Sequence, residues 1–135
     1  MASRKIFIAE DDVAILDLLR IRLELAGYQT FFAKNGRSAI DGIRKCQPDA
    51  ILLDIGLPIH DGFEVLRSIR ATPHLSEIPA MMLTARHHSS DVQRAILYGA
   101  QDFVTKPFND QTLISRVTRL FHRKSANAPG EHWAV

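Results

Sequence analysis

Pro48-Asp49-Ala50-Ile51-Leu52-Leu53-Asp54-Ile55-Gly56-Leu57-Pro58 is the stretch that decides the fold. Ala50 to Leu53 is an apolar run with no polar alternation, the pattern of a strand covered on both faces. Pro48 stops any helix ahead of it. The run ends in a carboxylate, Asp54, and then in a glycine and a proline that turn the chain. In an open parallel sheet, a charge so placed sits at the carboxyl end of its strand, where ligands gather.

Similar β-rich runs lie on either side, at Lys5 to Ala9, Tyr28 to Ala33, Ala80 to Leu83 and Phe103 to Thr105. Helical spacing separates them. Leu16, Leu19, Leu23 and Ala26 repeat at three and four residues, as do Ala39, Ile43 and Cys46, and Leu113, Val117 and Leu120. Two further helical patterns hold Val65 to Ile69 and Val92 to Gly99. Gly27 and Gly99 suit helix ends, while Asn35, Asp61, Ser89 and Asn109 suit helix starts. Five strands alternating with five helices predict an α/β fold with a parallel sheet and right-handed crossovers.

At 135 residues, 46% hydrophobic and 24% charged, the chain suits one compact domain. Its expected extent is residues 1–124, with 125–135 a flexible C-terminal tail carrying Trp133. A net charge of +2 gives no support for direct nucleic-acid binding. The basic end, with Arg116, Arg119, Arg123 and Lys124, reads as a solvated last helix favoured by the helix dipole. Cys46 is the sole cysteine, so it reads as a small core residue, and a reducing cytoplasm is expected. No apolar run approaches the roughly 18 residues of a membrane span.

The residues that follow the runs carry the chemistry. Glu10, Asp11 and Asp12 follow the first, Asp54 the third, Thr84 the fourth and Lys106 the fifth. Clustered carboxylates repel one another, and a hard divalent cation with oxygen ligands relieves them. Mg²⁺ suits such a set, and it can hold the oxygens of a phosphoryl group while an Asp accepts the phosphorus. Lys and Thr side chains can bind those oxygens. Strand-end carboxylates also cap helices, which is the plainer role for Asp12.

These motifs resemble the receiver domains of bacterial two-component response regulators. The resemblance rests on Ile-Phe-Ile-Ala-Glu-Asp-Asp at 6 to 12, the 48 to 58 stretch, Asp-Gly at 61 to 62, Leu-Thr-Ala at 83 to 85, Gly-Ala at 99 to 100 and Lys-Pro-Phe at 106 to 108. It implies a flavodoxin-like (βα)5 doubly wound sheet of order 2-1-3-4-5. It implies Asp54 as phosphoacceptor, with Asp11, Asp54 and the Gly56 main-chain carbonyl as Mg²⁺ ligands and Glu10 acting mainly through water. Thr84 and Lys106 would hold phosphoryl oxygens. A cis bond before Pro107 would aim Lys106, and Pro58 and Gly62 would shape the loop beside Asp54. Thr84 and Phe103 would form the switch, Phe103 standing where many relatives carry Tyr.

The resemblance further implies a phosphoacceptor that catalyses only its own phosphoryl transfer and dephosphorylation. The donor would be a sensor histidine kinase or histidine phosphotransfer protein. Output would pass to an unknown downstream protein through the fourth helix, fifth strand and fifth helix, since no output domain follows in this sequence. Asp102 and Arg116 match one of the charge pairs used by relatives that dimerise there, but Val92, Leu97 and Thr112 replace other charged partners. A monomer or a weak phosphorylation-dependent dimer is expected. His87 and His88 would tune access to the phosphate, and Arg86 how fast the phosphate is lost. A phosphatase with an aspartyl-phosphate intermediate would want a second Asp at the position of Gly56. A nucleotide or flavin binder would want a glycine-rich loop where Glu10, Asp11 and Asp12 stand.

Overall fold

The computed structural model describes residues 3–85 and 89–122. Along the chain run β1 (Lys5–Ala9), α1 (Val13–Leu25), β2 (Gln29–Ala33), α2 (Gly36–Cys46), β3 (Ala50–Asp54), α3 (Gly62–Arg70), β4 (Ala80–Thr84), α4 (Ser89–Leu97), β5 (Asp102–Thr105) and α5 (Asp110–His122). A single 3₁₀ turn, Pro73–Leu75, joins α3 to β4. The strands pair in parallel in the order 2-1-3-4-5, the doubly wound flavodoxin-like sheet that the resemblance implied. The expectations for the tail at 125–135, and for Arg86, His87, His88, Arg123 and Lys124, lie outside the described residues.

The sheet has a core on each face, because successive side chains of a strand point to opposite sides. Phe7, Ile51, Leu53, Met82 and Phe103 face one layer with Ile43 and Leu66. Ile6, Ile8, Leu52, Met81 and Val104 face the other with Leu16, Leu19, Leu113 and Val117. β3 and β4 are buried along their whole length, as the absence of polar alternation predicted. Cys46 is half-buried at the rim of the first core.

β3 and β4 end in Asp54 and Thr84, as the sequence reading has it. Two strand starts differ from that reading. β2 begins at Gln29, because the Tyr28 ring stacks on Phe121 at 5.4 Å instead of joining the sheet. β5 begins at Asp102, whose buried side chain pairs with Arg116 at 2.7 Å. That pair closes within the chain and ties α5 to the start of β5. The caps follow expectation: Asp12, Asn35, Asp61 and Asn109 each accept a backbone N–H of the first turn of the helix they precede. Gly27 (φ +98°) and Gly99 (φ +87°) turn the chain left-handed after α1 and α4.

Arg70, the last residue of α3, bolts three segments together. Its guanidinium donates to the Gly99 carbonyl (2.9 Å), the Ser76 carbonyl (3.1 Å) and the Gln101 side chain (3.2 Å). Burial without a carboxylate partner pulls its pKa down to about 10. Arg70→Met keeps the aliphatic stem but strands those acceptors, and should cost about 2 kcal/mol. The check is urea unfolding, where an unmoved midpoint would contradict the bolt.

Candidate functional site

The site is built where β1, β3, β4 and β5 end. Parallel register aligns those ends: Ala9 lies opposite Leu53, Asp54 opposite Leu83, and Thr84 opposite Thr105. Glu10 follows β1 and is held at the edge by its N–H, which donates to the Ala33 carbonyl at 3.1 Å. Its carboxylate is buried, 1% exposed, and accepts the Asp12 N–H at 3.1 Å. Asp54 is also buried, whereas Asp11 is exposed. One carboxylate oxygen from each of Glu10, Asp11 and Asp54 lies within 4.8 Å of the others.

Lys106 enters from the opposite side. Its N–H donates to the Thr84 carbonyl at 2.7 Å, and the Lys106–Pro107 peptide is cis. Its ammonium stands 2.5 Å from Glu10 Oε1 and 3.5 Å from Asp54 Oδ1. The Thr84 side chain is buried at the same edge.

The loop between β3 and α3 is braced from outside. The Pro58 carbonyl accepts the Gly36 N–H at 3.0 Å and the His60 N–H at 2.9 Å. A Cβ on Gly36 would fall 1.9 Å from the His60 carbonyl oxygen, and one on Gly62 would fall 2.3 Å from that of Asp54. Both positions exclude any side chain. Gly56 is exposed just beyond Asp54, and an added Cβ would meet Asp54 Oδ2 at an ordinary 3.8 Å. Ile59 holds φ +73°, a strained conformation for a β-branched residue, at the tip of this loop.

Three carboxylates thus face one ammonium. Burial pushes the Glu10 carboxyl upward, the Lys106 and Asp12 hydrogen bonds pull it back, and the Asp54 charge pushes it up again. A close oxygen-donor set with surplus negative charge fits a hard divalent cation. Phe103 is buried and lies opposite Met82, which shares a sheet face with Thr84 two residues on.

Sequence reading missed one feature beside the site. A largely apolar cleft of about 280 Å³ is lined by Ile15, Leu18, Ala85, Lys106, Pro107 and Phe108. Next to it, α1 presents Ala14, Leu18, Ile21 and Leu25 to solvent, Leu25 being 76% exposed. Their spacing of four, three and four was legible. It was masked by the stronger core stripe on the other side of the same helix.

Comparison with known proteins agrees with this geometry. A family model described as the response regulator receiver domain matches residues 6–118. The chain is similar to the signal receiver domain of a signal transduction histidine kinase from Syntrophus aciditrophicus, with 36% identity over 93% of this chain and 98% of that one, and a TM-score of 0.82. It is similar to the chemotaxis protein CheY4 of Vibrio cholerae, with 29% identity over 88% and 99% and a TM-score of 0.84. A third similar structure is the receiver domain of a Pseudomonas aeruginosa sensor histidine kinase, with 28% identity over 90% and 100% and a TM-score of 0.83. That protein holds a magnesium ion in its active-site cleft.

The electrostatics predict a pH signature in metal-free protein. A carboxyl whose folded pKa is raised contributes stability that is complete below its unfolded pKa and is lost as pH rises through the folded one. Glu10→Gln cannot ionise and escapes that loss. With chelator present, the variant should gain on the wild type in urea unfolding as pH rises above the ordinary carboxyl range. A difference that does not change with pH would contradict the assignment.

Proposed function

The chain belongs to the response-regulator receiver family, whose members are phosphoaccepting switches, and on that premise we propose that its phosphoacceptor is Asp54. The observation that carries this is the Asp54 carboxylate at a strand end, 3.5 Å from the Lys106 ammonium and grouped with Glu10 and Asp11. Asp54 attacks the donor phosphorus, and an aspartyl O–P bond forms as the bond to the donor breaks. Asp11, Asp54 and the Gly56 main-chain carbonyl would hold Mg²⁺, with Glu10 acting through water, and the ion would neutralise charge on the cluster and the phosphoryl oxygens. Lys106 takes one of those oxygens, exchanging part of its contact with the carboxylates. The Thr84 hydroxyl takes another.

The drawn-in Thr84 vacates space on its face of the sheet, and Phe103 is the neighbour placed to use it. The surface of α4, β5 and α5 then shifts in population toward a form that a downstream protein reads. Self-dephosphorylation at the same centre ends the signal.

The donor is a sensor histidine kinase or a histidine phosphotransfer protein. The apolar cleft beside Lys106 and the solvent-facing stripe of α1 support docking of a donor helix there. The chain acts in the cytoplasm as a monomer or weak phosphorylation-dependent dimer, without direct contact with nucleic acid. Among the described residues, no helix is long and apolar enough to cross a membrane.

The test is incubation with acetyl phosphate and Mg²⁺, followed by intact mass. One phosphoryl group should be added, chelator should prevent it, and Asp54→Asn should abolish it. Labelling that survives in the variant would move the acceptor elsewhere.

A further inference from the structure

The groove between α3 and α4 lies apart from the acidic site and has the opposite charge. It encloses about 560 Å³ and is lined by Glu64, Arg67, Ser68, Arg70, Leu97 and Tyr98. Two guanidiniums lie over the Tyr98 ring, Arg67 at 5.3 Å and Arg94 at 5.9 Å from its centre. Arg94 also lies 4.2 Å over the Phe63 ring, and Phe63 meets Tyr98 edge-on at 6.0 Å. Two exposed arginines are thereby fixed by stacking from two different helices.

Neither guanidinium is closed into a contact pair with a carboxylate. Among the described residues neither Arg67 nor Arg94 makes an ion pair. The nearby Glu64 makes its direct contacts elsewhere: its carboxylate caps Asp61 N–H at 3.1 Å and meets His60 at 3.2 Å, and Arg67 acts on it only through its charge. Arg70 adds a third guanidinium whose donors are all directed at neutral oxygens. Beside this cationic rim stands Leu97, the most exposed large apolar residue among those described.

We propose that the α3–α4 groove binds an acidic segment of a partner protein, its carboxylates on Arg67 and Arg94 and an apolar side chain against Leu97 and Tyr98. Planar guanidiniums held by stacking are preorganised for bidentate carboxylate contact. Phosphate would satisfy the same donors. A nucleic-acid backbone, however, has no use for the exposed leucine, and a net charge of +2 supplies little long-range attraction for it.

The test is titration of the isotopically labelled full chain with a synthetic dodecamer alternating Asp or Glu with Leu, followed by amide NMR. Two controls run beside it: the same peptide with Lys in place of the acids, and a short DNA duplex. The acidic peptide should shift amides around Arg67, Arg94 and Tyr98. Its affinity should fall about tenfold in the Arg67→Ala/Arg94→Ala variant and also fall in Leu97→Ser. Acetyl-phosphate labelling of both variants should match the wild type, showing that they fold. Absence of shifts, equal affinity in the double variant, or engagement of the groove by DNA with the acidic peptide silent would each overturn the proposal.

Discussion

Mutual repulsion among carboxylates is the constraint on which the edge of this sheet is organised. Glu10, Asp11 and Asp54 are brought within 4.8 Å by the register of β1 and β3, and among the described residues only Lys106 opposes them. An isolated buried carboxylate takes up a proton instead of staying charged, and the upward push on Glu10 is that tendency. The fold sustains the cluster because both sheet faces are packed and the strands cannot splay. The same rigidity keeps Thr84 and Phe103 in register, so that a change at the acidic edge has a fixed route across the sheet. Contiguity of this kind makes coupling physically reasonable, and bistability of Thr84 and Phe103 is what would make it a switch.

The residues around the edge serve it in different ways. Gly36 and Gly62 let backbone approach backbone where no side chain fits, and the Pro58 carbonyl ties the β3–α3 loop to the start of α2. Asp12, fourth of the acids, is used up in capping α1. Arg70 sits far from the chemistry, yet it anchors the turn from which β5 begins. Arg67 and Arg94, which make no ion pair among the described residues, belong to a separate surface of α3 and α4 gathered around Tyr98.

Much of this was readable in the chain order. Continuous apolar runs marked β3 and β4, and the polar residue ending each run marked the edge where a ligand would sit. The capping residues were legible because a cap acts on atoms two or three positions away. What was not legible depends on distant partners. The Lys106 contact with Glu10 spans 96 residues, and nothing local announces it. The same holds for Arg70 reaching Gly99, and for Tyr28 leaving β2 to stack on Phe121. Nor does pattern alone show that β5 begins with a buried carboxylate, Asp102, paired with Arg116. The positive φ of Gln47 and Ile59, both exposed, breaks local preference, and no residue type nearby signals it.

The central claim is that the acidic edge carries more negative charge than Lys106 can offset and that a divalent cation makes up the difference. Thermal unfolding against Mg²⁺ concentration tests it most directly, since an ion bound only by the folded state raises the midpoint. The wild type should be progressively stabilised by Mg²⁺, and Asp11→Asn should lose most of that response. A midpoint indifferent to Mg²⁺ in the wild type, or an undiminished response in Asp11→Asn, would contradict the account.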